Sequence, residues 1–167
     1  MLLAAQTAAE SASAAADPGV AATISLGTQL GAAALLIVVM VLVHASGILA
    51  ATKLLRLEDR TLRAHQVDVR AFGLLISIAL CLFLLHLTEI ALFALFYLAV
   101  GALETVESAL YFSASAYTTL GHPDLDFPDD WRLLGALEGL VGFLLIGWSA
   151  AVFIADMNKV LRAEGVG

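Results

Sequence analysis

Residues 104–120 read ETVESALYFSASAYTTL, and they lie between two long apolar stretches of the chain. Thr105 suits the N-cap of a helix, and Glu107 in the next turn suits the positive end of the helix dipole. The segment is too long and too apolar for a plain loop, yet too short to cross a membrane and return as two spans. A re-entrant half-helix followed by an extended return explains both properties. Because non-helical backbone at membrane depth is tolerated only inside protein or against water, the segment indicates a pore or a binding site.

The composition places this segment in an integral membrane protein. The chain has 167 residues, of which 61% are hydrophobic and 14% charged, whereas ordinary soluble domains have roughly 45–50% and about 25%. The formal net charge of −7 argues against a nucleic-acid partner, and the single Cys81 excludes an intrachain disulfide and a multi-cysteine metal site. Three stretches offer the roughly 20 mostly apolar residues that a spanning helix needs, namely 29–55, 71–101 and 132–157.

The basic residues predict the orientation of these spans. All Lys and Arg residues except Arg132 fall on one side of the predicted spans, at Lys53, Arg56, Arg60, Arg63, Arg70, Lys159 and Arg162. Because cytoplasmic loops are enriched in Lys and Arg, the loop 56–70 and the short tail 158–167 are expected in the cytoplasm. Residues 1–28 are rich in Ala and Ser and lack the basic start of a signal peptide, so they are expected to form a polar tail outside.

Residues 111–121, YFSASAYTTLG, resemble the pore helix and the start of the filter in the potassium channel superfamily. In that family an aromatic-rich helix leads into Thr-Val/Leu-Gly-Tyr-Gly-Asp. Residues 131–142, WRLLGALEGLVG, are similar to the start of the family's inner helix, with Gly142 at the gating hinge. The GWSA of residues 147–150 and the HLTEI of residues 86–90 are similar to small bacterial pore-loop channels.

The resemblance covers about residues 71–157 and implies an all-α membrane protein of the bacterial inner membrane. Each chain would contribute three transmembrane helices, one re-entrant pore helix and one filter loop to a potassium-channel-like homotetramer. The implied parts are an outer helix at 71–101, a pore helix at 105–118, a filter at 119–124 and an inner helix at 132–157. The first span, 29–55, is then a peripheral helix packed outside the outer helix.

The resemblance implies an ion-conduction filter made of Thr119, Leu120, Gly121, His122, Pro123 and Asp124. In the family, filter carbonyls replace the hydration shell of potassium, so the first three residues would bind monovalent cations. The family's Tyr-Gly-Asp is His-Pro-Asp here, and proline fixes φ near about −65° where glycine permits a positive φ. A standard outer half of the filter is therefore not expected. Two outcomes stay open: inner cation sites with weak selectivity for potassium over sodium, or a filter that collapses without a trigger.

Two features near the expected mouth also keep alternatives open. Copies of His122 close to the axis would make a pH-sensitive site, whereas the simpler interpretation packs His122 behind the filter. The carboxylates of the connection would form an acidic ring that concentrates cations, or they belong to an ordinary solvated loop. They are Asp124, Asp126, Asp129 and Asp130.

Several polar and small residues lie inside the predicted spans. His86 and Glu89 share a helix face, which indicates either a metal or proton site or an interhelical hydrogen bond with Glu138 or Ser149. A haem held by His44 and His86 is a further alternative. The GxxxG spacing of residues 135–139 permits close helix approach. Helical spacing from Gly142 predicts pore-lining positions at Leu145, Ile146, Ser149 and Phe153.

The sequence therefore predicts passive conduction of monovalent cations, potassium and sodium, with reduced potassium selectivity. It predicts no enzyme, because no nucleophile elbow, zinc-helix motif or phosphate loop occurs. The expected partners are copies of the same chain and membrane lipid, with no small-molecule substrate and no cofactor besides ions in the pore. One alternative is a non-conducting membrane subunit or regulator built on the channel fold. Another is a membrane redox or metal protein that uses His44, His86 and Glu89.

Overall fold

A computed structural model describes residues 24–59, 67–121 and 127–163 of the chain. Every regular element in those ranges is helical. The elements in order are α1 (Leu26–Asp59), α2 (Val67–Ala99), α3 (Val106–Tyr117), a 3-10 turn (Asp129–Trp131) and α4 (Arg132–Ala163). The filter residues His122, Pro123 and Asp124 lie outside the described residues, as does most of the predicted tail 1–28.

The prediction of three spanning helices is confirmed, because α1, α2 and α4 are each long and apolar enough to cross a membrane. Their helical ends differ from the predicted bounds. Residues 56–59 and 67–70 of the predicted loop are helical, and α4 continues through 158–163 of the predicted tail. These flanking segments contain no Gly or Pro and are rich in Leu, Arg and other residues that accept helical geometry. The helices are therefore longer than the apolar stretches from which their ends were predicted.

The short helix α3 packs against both α2 and α4, whereas α1 packs against α2 and α4 from another side. The first span therefore packs against the outer helix, as expected, and contacts α4 as well. Gly47 brings α1 close to α2, since a Cβ built there would lie 2.5 Å from Leu85 Cδ1. His44 of α1 reaches α4 as well, with its Nε2 3.3 Å from Ser149 Oγ.

An aromatic cluster closes the bundle where α2 ends and α4 begins. The rings of Phe112 and Phe127 stack with centroids 3.8 Å apart and planes 5° apart, and Tyr97 meets both edge-on. Trp131 packs edge-on against Phe96 of α2, with ring centroids 5.2 Å apart. The chain that follows the filter segment is therefore held against the middle of α3 by stacked rings.

A row of glycines on α4 seats α3. Cβ atoms built at Gly135 and Gly139 would lie 2.9 Å from Phe112 Cζ and 3.1 Å from the Ala116 carbonyl oxygen. Gly142 continues the row, and a Cβ there would lie 2.1 Å from the Tyr117 carbonyl oxygen. The predicted close approach at residues 135–139 is confirmed. The hinge role of Gly142 stays a prediction, but its contact with α3 gives the glycine a packing role of its own.

Two of the predicted pore-lining residues of α4 are buried within the chain, so that part of the prediction is wrong. Leu145 and Ser149 are buried inside the chain, on the side of α4 that faces α1 and α2. Because they are buried, they cannot line a pore between copies. The prediction failed because helical spacing gives the period of a helix face but not the direction in which that face points. Phe143 and Leu144 are largely exposed and lie on the face that the chain leaves uncovered.

We expect Gly142→Ala to lower the free energy of unfolding by about 1–3 kcal/mol. The added methyl group would overlap the Tyr117 carbonyl, and backbone cannot move aside by changing rotamer as a side chain can. The measurement is denaturant unfolding of the purified protein in detergent. Gly147→Ala in α4 and Gly73→Ala in α2 are matched controls, since nothing lies within 4 Å of a Cβ built at either position. Both should be neutral or stabilise the helix by up to about 1 kcal/mol. An equal loss in all three variants would contradict the packing role.

Candidate functional site

The two ends of α3 are set by local hydrogen bonds. Thr105 caps the first turn, since its side chain accepts a hydrogen bond from the Ser108 backbone N–H at 3.1 Å, and the predicted N-cap is confirmed. At the other end, the backbone N–H of Thr119 donates to the Ala116 carbonyl at 2.9 Å. The N–H of Gly121 reaches back further, to the Ser115 carbonyl at 3.1 Å. The chain after α3 is therefore folded tightly onto the end of the helix.

The predicted inner filter residues lie in this folded segment. Thr119 has φ +60° and Gly121 has φ +67°, with Leu120 76% exposed between them. A positive φ is easy for glycine but strained for a β-branched threonine, at a cost of about 1–3 kcal/mol. Such strain persists only where neighbouring bonds over-determine the backbone, as the two bonds back to α3 do here.

Glu89 is the centre of a buried polar cluster in the middle of the bundle. His44 Nδ1 of α1 lies 2.8 Å from Glu89 Oε1, and His86 Nδ1 lies 3.2 Å from Glu89 Oε2. The Tyr117 hydroxyl donates to Glu89 Oε2, and its oxygen also lies 2.8 Å from His86 Nδ1. Glu89 and His44 are fully buried, whereas the His86 side chain keeps 18% of its surface exposed. Ser149 closes the cluster beyond His44.

Of the two alternatives that the sequence left open, a metal or proton site and an interhelical hydrogen bond, the bond exists, but with other partners. Glu89 bonds to His44 and Tyr117 rather than to Glu138 or Ser149. The rings of His44 and His86 have centroids 5.5 Å apart, and both are bonded to Glu89. The haem alternative stays a prediction.

A second buried carboxylate, Glu138 of α4, contacts α3 one turn nearer to its N-terminus than Glu89 does. The Tyr97 hydroxyl donates to Glu138 Oε2 at 2.6 Å, and Ser113 Oγ lies 2.5 Å from Glu138 Oε1. Ser113 Oγ also lies 2.9 Å from the Ile90 carbonyl of α2. This cluster therefore ties α2, α3 and α4 together through one serine and one carboxylate.

Ser113 and Tyr117 were not predicted as residues of these polar clusters, although the sequence contains a signal. The two residues are spaced i, i+4 on α3 and so point from one face, and each meets one of the two carboxylates inside the spans. Tyr117 contacts His86 and Glu89, which lie near the midpoint of the apolar span Phe72–Ala99, so α3 ends beside the middle of α2.

Of the predicted acidic ring, Asp129 and Asp130 are described. Asp129 is paired with Arg132, with 2.7 Å between Oδ1 and Nη1, and both side chains are largely exposed. Exposed ion pairs contribute little to stability, but this one offsets the negative charge of Asp129. Asp124 and Asp126 lie outside the described residues.

Residues 80–159 match the model of a protein family described as ion channel. This stretch of the chain is therefore similar to an ion channel domain. Together with three apolar helices, this match supports ion transport by a transmembrane protein, and the family is not one of enzymes. The match covers just under half of the chain and contains Glu89, Tyr117 and Glu138, but it leaves out His44 and all of α1. No curated protein and no solved structure matches the chain significantly.

We expect Ser113→Ala in this channel domain to lower the free energy of unfolding by about 1–3 kcal/mol, because it removes a partner from a fully buried carboxylate. Ser77→Ala is the matched control, since Ser77 is exposed and bonds only to Gly73 of its own helix. That control should stay within about 0.5 kcal/mol of the parent. Unfolding in detergent measures both, and equal stabilities would argue against the Glu138 cluster as an anchor of α3.

Proposed function

We propose that the protein conducts monovalent cations passively through a potassium-channel-like pore with reduced selectivity for potassium over sodium. The observation that carries the proposal is the placement of α3. This short helix descends beside α2, ends near the middle of the span, and is followed by a segment whose Phe127 returns to the level of Phe112. A helix that enters to half depth, followed by a return, is the arrangement of a pore helix and its filter loop.

The proposed ion path begins at the end of α3. Its C-terminal dipole would favour a cation in the centre of the membrane, and the carbonyls of Thr119, Leu120 and Gly121 would replace part of the cation's hydration shell. Non-helical backbone at membrane depth must not face lipid, and an assembly of copies would bury the backbone of residues 119–121. In the single chain, Leu120 and its neighbours Thr119 and Gly121 are exposed, which leaves them available to copies of the chain.

We propose that four copies surround the axis, since each chain supplies one filter loop. Within the chain, only 22–33% of the most apolar stretch of each span is buried. Lipid and neighbouring copies would cover the remainder. Phe143 and Leu144 of α4, rather than Leu145 and Ser149, would face that neighbourhood. The distribution of Lys and Arg favours an orientation with the N-terminus outside and the C-terminus in the cytoplasm of a bacterial inner membrane.

The reduced selectivity rests on the sequence of the outer filter. His122 and Pro123 replace the Tyr and Gly of the family pattern, and proline cannot adopt the positive φ that glycine permits at this point. Inner sites at Thr119 to Gly121 would remain, while the outer sites widen into a vestibule. The role of His122 as a pH-sensitive group is part of the same proposal and awaits a conductance measurement across pH 5 to 8.

We expect bilayers that contain the protein, with potassium on one side and sodium on the other, to give a cation current that reverses near zero. The double variant His122→Tyr with Pro123→Gly restores the family pattern and should move the reversal toward the potassium equilibrium potential. His65→Tyr, which changes a histidine outside the filter, is the control for the substitution itself. The oligomeric mass in detergent is measured in parallel.

The outcomes separate the alternatives. A potassium-selective current from the parent protein would contradict the argument from proline geometry. A tetramer that passes no current, as parent or as double variant, would favour a non-conducting subunit built on the channel fold. A monomer or dimer that conducts would rule out the fourfold pore.

A further inference from the structure

We propose that His44, His86 and Glu89, with Tyr117 as a fourth ligand, bind a divalent transition metal of the zinc class between α1, α2 and α3. One ligand atom from each of the first three residues lies within 4.8 Å of the other two. His86 and Glu89 come from α2, His44 from α1 and Tyr117 from α3, so the tertiary fold completes a pair that one helix supplies. The site lies at mid-span, at the end of α3 and beside the filter segment, but none of its ligands is a residue that the proposed conduction uses.

The distances suit a small tetrahedral ion. A zinc ion with ligands at about 2.0–2.1 Å holds neighbouring ligand atoms about 3.3 Å apart. His44 Nδ1 lies 2.8 Å from Glu89 Oε1, and His86 Nδ1 lies 3.2 Å from Glu89 Oε2, so both histidine contacts are close to this separation. The Tyr117 oxygen lies 2.8 Å from His86 Nδ1 and is bonded to Glu89 Oε2, so it would have to move away from the carboxylate to act as the fourth ligand.

The chemistry of the ligands selects the metal class. Two imidazoles and one carboxylate suit zinc and its neighbours among the transition metals, whereas calcium and magnesium prefer ligand sets made of oxygen alone. Binding through His44 Nδ1 requires the neutral tautomer whose single ring proton lies on Nε2, so this ring loses no proton to solvent. That Nε2–H can donate to Ser149 Oγ, 3.3 Å away, as the outer partner that a metal-bound histidine usually has.

The charge of the site favours the same ion. None of the ion pairs formed by the described residues brings a Lys or Arg to Glu89, so neutral imidazoles leave a fully buried carboxylate uncompensated at membrane depth. A divalent ion would change the net charge of the site from one negative to one positive charge. Loss of the Tyr117 proton to solvent would then make the site neutral. His86, the one partly exposed ligand, gives the ion a route to the cluster.

A metal here would join α1, which lies outside the channel domain, to the end of the pore helix. Tyr117 is the residue whose carbonyl oxygen is pressed against Gly142, and it is followed directly by the segment that holds Thr119. The bound ion would therefore brace α3 from behind, at the turn from the helix into the proposed filter.

The test uses the whole protein, free of any oligohistidine tag, stripped with a chelator in detergent and titrated with Zn²⁺ and Co²⁺. We expect one ion per chain and the visible absorption of four-coordinate Co²⁺. His44→Ala, His86→Ala and Glu89→Gln should each abolish both signals, and Ser149→Ala should weaken binding about 10–100-fold. His65→Ala and His122→Ala remove the other histidines, and Glu138→Gln neutralises the other buried carboxylate; these three should bind as the parent does.

The proposal is overturned if the parent binds well under one ion per chain, or if the Co²⁺ spectrum is that of the hydrated ion. It is equally overturned if His65→Ala or His122→Ala removes binding while His44→Ala does not. Where a ligand variant fails to fold, Ser149→Ala and Tyr117→Phe, together with the parent stoichiometry, decide the matter. None of these readouts depends on ion flux, so they stand apart from the test of conduction.

Discussion

A carboxylate inside a membrane span must be bonded on all sides, and this constraint organises the chain. Glu89 of α2 and Glu138 of α4 are both fully buried, and each takes one of its partners from the short helix α3. Tyr117 and Ser113, one helical turn apart, supply those partners. An unpartnered buried group costs about 1–3 kcal/mol, and more when it is charged, so α3 cannot slide or rotate without leaving a carboxylate exposed to an apolar surrounding. Two polar contacts thereby fix both the depth and the rotation of the helix.

Close packing completes what the carboxylates begin. Hydrogen bonds to side chains tolerate small shifts, but the glycine row of α4 does not, because Gly142 leaves no room for even one methyl group beside the Tyr117 carbonyl. Polar contacts therefore select the position of α3, and steric contacts remove the remaining freedom. The strained φ of Thr119 follows from this order, since the chain must leave a helix end that is already held in place.

Much of this architecture is readable from the sequence, and the failures have physical causes. Apolar length predicted the three spans, and a threonine before an acidic turn predicted the start of α3. The ends of the spans were underestimated, because helix formation depends on propensity and not on apolarity alone. The lining of α4 was misplaced at Leu145 and Ser149 because periodicity does not give phase. The partners of Glu89 were not predictable either, since a polar residue in a span indicates that a partner exists but not which helix supplies it.

The first helix gives the strongest reason to consider the chain as one unit. The match to ion channels begins at residue 80, and α1 could be taken for an addition to a finished domain. Yet the carboxylate that positions the end of α3 receives one of its bonds from His44. Without that bond, Glu89 would keep only His86 and Tyr117, and the face of α2 that α1 covers would be open to lipid. The position of the proposed pore helix therefore depends on a residue outside the domain that contains it, so α1 acts as a structural part of the channel unit.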